Sequence, residues 1–186
     1  MSAHDTALIV IDVQESFRHA HYWDGSELDA YLSRQQALID GAKAVGMPIV
    51  QIFHVGKNAP FTLEGGLVRT MDGIALAPDV TFHKHVHSAL VDTSLETWLR
   101  ERGIRRVIVS GIRTEQCCET TTRHASDLGF KVDFVTEATL TFPMTHASGH
   151  VFSAQDIRIR TELVLAGRFA RIATVEQALA PLATQG

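Results

Sequence analysis

Two adjacent cysteines, Cys117 and Cys118, follow the run Gly111-Ile112-Arg113-Thr114-Glu115-Gln116, and the segments on either side indicate where these thiols sit. Upstream, Arg106-Val107-Ile108-Val109-Ser110 is a short β-branched run that reads as a buried parallel strand. Downstream, the chain reads as a helix that Gly129 stops. A thiol in the first turn of such a helix faces unpaired backbone N–H groups and the positive end of the helix dipole, which both favour thiolate over thiol. The same amides can hold the oxyanion that forms when sulfur attacks a carbonyl. Cys117 is therefore a candidate nucleophile. The alternative is that both cysteines are small buried hydrophobes.

Two further residue types suit that chemistry. Asp12 closes the run Ala7-Leu8-Ile9-Val10-Ile11, so a carboxylate emerges from an apolar stretch. Burial there raises its proton affinity unless a cation stands beside it, although a strand-end Asp also serves as a helix cap or a metal ligand. Lys84, within Phe82-His83-Lys84-His85-Val86-His87-Ser88, would supply the cation and lower the thiol pKa. On its own it reads equally as a surface lysine. His83, His85 and His87 alternate, so on an extended chain they share a face and could bind a metal; otherwise they are exposed loop histidines.

Apolar runs alternate with helical patterns along the chain, the signature of a parallel sheet covered on both faces. Strands are expected at Ala7–Asp12, Pro48–Phe53, Val80–Phe82, Arg106–Ser110, Lys131–Val135 and Ala170–Ile172, and helices at Leu28–Val45, Ser94–Arg102, Gln116–Leu128, Ser153–Leu165 and Val175–Leu179. The reading is α/β: a three-layer, Rossmann-like fold with a central parallel six-stranded sheet, as one domain over 1–186. Gly46, Gly103 and Gly129 each stand between a helix and a strand, as left-handed C-cap residues do. The irregular stretches His54–Pro78 and Thr139–His150 are expected to be loops that wall a site. Ligands bind beyond the carboxyl ends of strands in such sheets, where Asp12, His54 and Gly111 fall.

Composition narrows the class. A hydrophobic fraction of 45% with 20% charged residues is ordinary for a globular chain, and no apolar run approaches bilayer length, so no membrane association is expected. A net charge of −4 leaves no electrostatic footprint for nucleic acid. Met1-Ser2-Ala3-His4-Asp5 lacks the pattern of a signal peptide, which argues for a cytoplasmic protein. Adjacent cysteines are poorly placed to bridge each other, and a reducing compartment fits. No Gly-x-Gly-x-x-Gly follows the first strand, so a dinucleotide cofactor is not indicated.

Asp12-Val13-Gln14-x-x-Phe17, then Lys84 followed by Ser88, then Gly111-x-x-Thr114-x-x-Cys117 resembles the isochorismatase-like cysteine hydrolases in order, spacing and strand context. The resemblance runs over nearly the whole chain. It implies a hydrolase that cleaves a C–N bond of a small amide or carbamoyl compound through a Cys thioester, with no cofactor. Asp12 would be the general base, Lys84 would orient and hold the pair, and Cys117 would be the nucleophile. The resemblance further implies a cis peptide between Ile112 and Arg113 that aims the Arg113 N–H, with that of Cys117, at the oxyanion. Gln14, Phe17, His54 and Arg113 would meet the substrate, with Tyr22, Trp23 and Phe61 extending the wall, and Cys118 would be packing. Relatives are commonly oligomeric, so a homo-oligomer is expected.

The departures from the pattern matter too. Nicotinamidases of the family resemble one another in an Asp-x-His metal site after the second strand, where this chain has Ile52 and His54, so no metal is assigned. Arg113 stands where many relatives have a small residue; its side chain either reaches the substrate, favouring a carboxylate, or braces the turn. The competing readings are an isochorismatase-type hydrolase of a vinyl ether, which the presence of Cys117 disfavours, and a redox-sensitive thiol protein.

Overall fold

The computed structural model describes residues 5–180, so the ends of the expected 1–186 domain, and most of the leader reading at Met1 to Asp5, lie outside the described residues. β-Branched and aliphatic runs supply the strands β1 (Thr6–Ile11), β2 (Ile49–His54), β3 (Val80–Lys84), β4 (Arg106–Ile112), β5 (Lys131–Leu140) and β8 (Arg171–Ile172). They form one six-stranded sheet in the order β3-β2-β1-β4-β5-β8, and every pairing in it is parallel.

A period of two divides β1 between two cores. Ala7, Ile9 and Ile11 join one cluster with Leu95, Leu99, Ala125 and Leu165, which brings α2 (Leu95–Glu101), α3 (Glu119–Asp127) and α4 (Ala154–Leu165) to that face. Leu8 and Val10 join the other with Leu38, Ile39, Val175 and Ala178, from α1 (Leu28–Ala44) and α5 (Val175–Leu179). Three layers result, as expected from strands that are apolar on both sides. Gly46, Gly103 and Gly129 take φ of +70°, +68° and +88°, in the left-handed region that ends their helices.

The chain leaves β1 for β2 on one side, while β4 pairs with β1 on the other, so a crevice opens between the carboxyl ends of β1 and β4. Ile11 lies opposite Gly111 in this pairing. A Cβ at Gly111 would come within 1.9 Å of the Ile11 carbonyl oxygen, and its φ of +123° also disfavours any side chain. Glycine is what lets the two strands close together where Asp12 and the Cys117 turn emerge.

Beyond shifts of one or two residues at element ends, three differences from the sequence reading shape the site. The expected helix Gln116–Leu128 starts instead as a π-helical turn, Thr114–Cys118, before α3. Strand β5 continues to Leu140 across a register shift that moves its partner from Phe134 opposite Val109 to Thr139 opposite Gly111. The expected Thr139–His150 loop therefore begins in strand, and its remainder is largely a hairpin, β6 (Met144–Thr145) with β7 (Val151–Phe152). Periodicity cannot reveal a bulge, because the extra residues are unpaired and carry no alternation. Gly111→Ala is expected to cost about 3 kcal/mol and to lower the melting temperature by roughly 10 °C; differential scanning calorimetry against wild type checks this.

Candidate active site

Lys84 ends β3 and has no solvent exposure. Its strand is two places from β1, with β2 between them, so only a long side chain can cross to the β1 end. The ammonium Nζ lies 2.7 Å from Asp12 Oδ2, also without exposure. The same nitrogen donates to Cys117 Sγ at 3.3 Å and to the Val86 carbonyl at 3.1 Å. Three sequence-distant residues thus meet at one ammonium, and Cys117 is 7% exposed at the edge of this buried group.

Each member is held from its own element. Asp12 has a φ of +52° and donates its backbone N–H to the Ile52 carbonyl at 2.9 Å, which turns the chain off β1. The Arg113 carbonyl accepts from the Gln116 and Cys118 amides, both at 3.2 Å, and shapes the turn that carries Cys117. Thr114 Oγ1 donates to Thr139 Oγ1 at 2.8 Å, and Thr139 donates to the Thr136 carbonyl at 2.8 Å, so the β5 bulge anchors the start of that turn. The Ile112–Arg113 peptide is cis.

The charges set the proton inventory. Burial raises the Asp12 pKa above the ordinary carboxylate range, and Lys84 opposes it. Burial works against the Lys84 ammonium, but Asp12 and Cys117 outweigh it and raise the lysine pKa. Burial and then the Asp12 carboxylate push the Cys117 thiol well above its usual value, against the pull of Lys84. This corrects the expectation of a thiolate favoured by a helix end. The sulfur is nearly buried beside a carboxylate, and both raise its affinity for the proton.

The other expected residues fall into two groups. Phe17 meets Phe61 edge-on at 5.1 Å, and Phe61 meets the His54 ring at 5.9 Å, forming a continuous wall. Tyr22 and Trp23 pack on Phe142, with ring centroids at 5.7 and 5.3 Å. Gln14 is turned inward: its amide donates to Ser16 Oγ and the His54 carbonyl and accepts from the His54 N–H. It staples the end of β2, so its polar atoms are engaged by the protein. Arg113 pairs with Glu115 at 3.0 Å and lies over Tyr22 and Phe142 at 4.9 and 5.4 Å from their centroids. Its guanidinium is thus engaged by Glu115 and two aromatic rings, contacts that brace the turn. Cys118 has no exposure and packs in the core with Val109 and Ala125.

The histidines do not share a face, because β3 ends at Lys84. His83 stacks on Phe53, the His85 ring Nδ1 sits 3.0 Å from the Val55 carbonyl, and His87 Nδ1 lies 3.8 Å from Cys117 Sγ. The nicotinamidase likeness implies a metal near His54, and the residues present do not fit one. Ile52 offers no donor, His54 Nδ1 lies 3.5 Å from the Lys84 ammonium, and no group of three or more His, Cys, Asp or Glu among the described residues is placed to hold an ion. Burial and then Lys84 push His54 down to about 4, so its ring is neutral. Glu115, Phe142 and the Thr114–Thr139 pair were missed in sequence. Glu115 follows Arg113 by two residues and was a legible partner for it, whereas Phe142 and Thr139 reach the site only through the β5 bulge.

The isochorismatase domain model matches residues 6–177. Nicotinamidase 3 of Arabidopsis thaliana is 32% identical over 152 residues, covering 73% of this chain and 73% of that protein. Ureidoacrylate amidohydrolase RutB of Stutzerimonas stutzeri is 24% identical, covering 83% of this chain and 75% of the other. Among solved structures, an isochorismatase of Pseudomonas putida superposes with a TM-score of 0.84 at 26% identity, covering 92% of this chain and 88% of that one.

Removing the Asp12 carboxylate while Lys84 stays takes away a cause that raises the thiol pKa and keeps one that lowers it. Asp12→Asn is therefore expected to speed alkylation of Cys117 by iodoacetamide at neutral pH by about tenfold, one pKa unit of thiolate. Alkylation rates followed by intact mass check this, and a slower or unchanged rate would contradict the charge assignment.

Proposed function

This chain belongs to the isochorismatase family and is a hydrolase, and we propose that it cleaves a C–N bond of a small amide or carbamoyl compound through a thioester on Cys117. One observation carries the reading: Lys84 Nζ stands 2.7 Å from Asp12 Oδ2 and 3.3 Å from Cys117 Sγ, with all three side chains buried. Burying a charged pair costs several kcal/mol per ion, and an apolar pair of equal volume is often as stable, so structure alone does not call for it.

Each part has a task that fits its protonation state. The thiol starts protonated, so sulfur needs a base at the moment it attacks the carbonyl carbon, and the raised affinity of Asp12 suits it to take that proton. Negative charge then grows on the carbonyl oxygen, where the backbone N–H groups of Arg113 and Cys117 are the proposed donors. Collapse breaks the C–N bond, and the amine leaves with the proton from Asp12. The thioester is left on Cys117 and the carboxylate is restored. Lys84 stays within hydrogen-bond distance of Asp12 whether the acid is ionised or holds the proton, which keeps Asp12 oriented.

His54, Phe17 and Phe61 are the proposed substrate wall, to which His54 presents a neutral ring. No step runs through a metal, for the donor reasons given above. A redox-sensor reading has less support, since sensor thiols have low pKa values and good access, whereas Cys117 is nearly buried with a raised pKa. Nicotinamidase 3 and RutB are named for acting on an amide and a ureido compound, which supports the C–N class without choosing within it. A homo-oligomer also belongs to this reading. The β6–β7 hairpin leaves Met144, Val151 and Phe152 exposed around a cavity of about 560 Å³ that includes Glu115 but not Cys117.

Ammonia release from a panel of small amides, carbamoyl compounds and nicotinamide tests the proposal after chelator treatment. Activity on at least one compound is expected to survive chelation and to fall roughly 10³-fold or more in Cys117→Ala. Equal release by both proteins would remove Cys117 from the mechanism.

A further inference from the structure

The thioester reading leaves a second half-reaction, in which water must reach the acyl carbon and lose a proton. Asp12 has no solvent exposure and lies against Lys84, on the buried side of the sulfur. His87 is exposed, yet its Nδ1 stands 3.8 Å from Cys117 Sγ. The nucleophile therefore has a carboxylate beneath it and an imidazole on its solvent side.

His87 is held in place from both directions. Just before it, the Val86 carbonyl accepts from Lys84 Nζ at 3.1 Å. Just after it, Ser88 Oγ lies 2.9 Å from His124 Nδ1 on α3, and the Ala89 amide donates to Thr121 Oγ1 at 3.0 Å. The short loop is thus tied to the buried lysine and to the helix that Cys117 leads into. An exposed ring on a backbone anchored in this way is preorganised rather than a chance neighbour.

We propose that His87 is the base that activates the hydrolytic water, so that this enzyme divides its two half-reactions between two bases. This rests on the thioester reading above. In the resting state the thiol proton can be shared toward Nδ1; once sulfur is acylated it carries no proton, and the Nδ1 lone pair is free to accept one from water. Water oxygen then bonds to the acyl carbon as its proton passes to Nδ1. The tetrahedral intermediate collapses, the C–S bond breaks with its electron pair going to sulfur, and the imidazolium returns the proton to the thiolate. The products are the free acid and the thiol, with His87 and Asp12 in their starting states. Nothing in the acylation half requires His87.

The test uses p-nitrophenyl acetate, a small uncharged acyl donor that reports on acylation by its colour, with wild type, His87→Gln and Cys117→Ala. The expected result for His87→Gln is a burst of p-nitrophenolate, one equivalent per enzyme, at the wild-type rate, followed by turnover about 10²-fold slower. An acetyl group on Cys117 should then accumulate in the intact mass. Both kcat and KM fall together, and kcat/KM, which reports acylation, is unchanged. Wild-type deacetylation in His87→Gln overturns the proposal, as does an equal loss in kcat and kcat/KM with no acetyl-enzyme. A burst that persists in Cys117→Ala overturns the thioester reading instead, so the two failures are distinguishable.

Discussion

A buried carboxylate and a buried ammonium 2.7 Å apart constrain everything around them. Either ion alone would be intolerable there, because desolvation would force it to neutralise or the local structure to open. The pair survives because Asp12 and Lys84 arrive from different strands at neighbouring levels, which requires β1, β2 and β3 to hold their parallel register. The arrangement is not economical as a source of stability. On the proposed mechanism it keeps one proton mobile between a carboxylate and a thiol.

The same constraint explains several features that would look incidental one at a time. Glycine at position 111 lets β4 approach β1 closely enough for the following turn to bring sulfur to the ammonium. Gln14 spends its amide on the backbone of His54, which fixes the end of the strand that Lys84 must cross. The β5 bulge places Thr139 under Thr114 and so seats the turn carrying Cys117. These are supports for a geometry, and none of them needs to touch a substrate.

The electrostatics also separate two kinds of thiol chemistry. A cysteine at an open helix end is reactive at rest, because amides and solvent stabilise its thiolate. Here the sulfur is nearly buried beside a carboxylate, and both raise its affinity for the proton. On the proposed mechanism such a site depends on its bases at every turnover. The position of each base relative to solvent then has chemical meaning.

Much of this was legible in the sequence. The β-branched runs at Ala7, Pro48, Arg106 and Lys131 announced a parallel sheet, because strands apolar on both faces must be covered on both. Asp12 and Cys117 stood out by residue type and place, and the resemblance to the isochorismatase-like hydrolases joined Lys84 to them as a set. Periodicity and composition carry such information because they reflect local burial. They carry nothing about which loop atoms converge after folding. The π-helical turn, the β5 bulge, the inward Gln14, the Arg113–Glu115 brace and the nearness of His87 to sulfur were decided by tertiary structure alone. So was the state of the thiol: a pKa is set by the charges and solvent that surround a group in space, and those neighbours lie far from Cys117 along the chain.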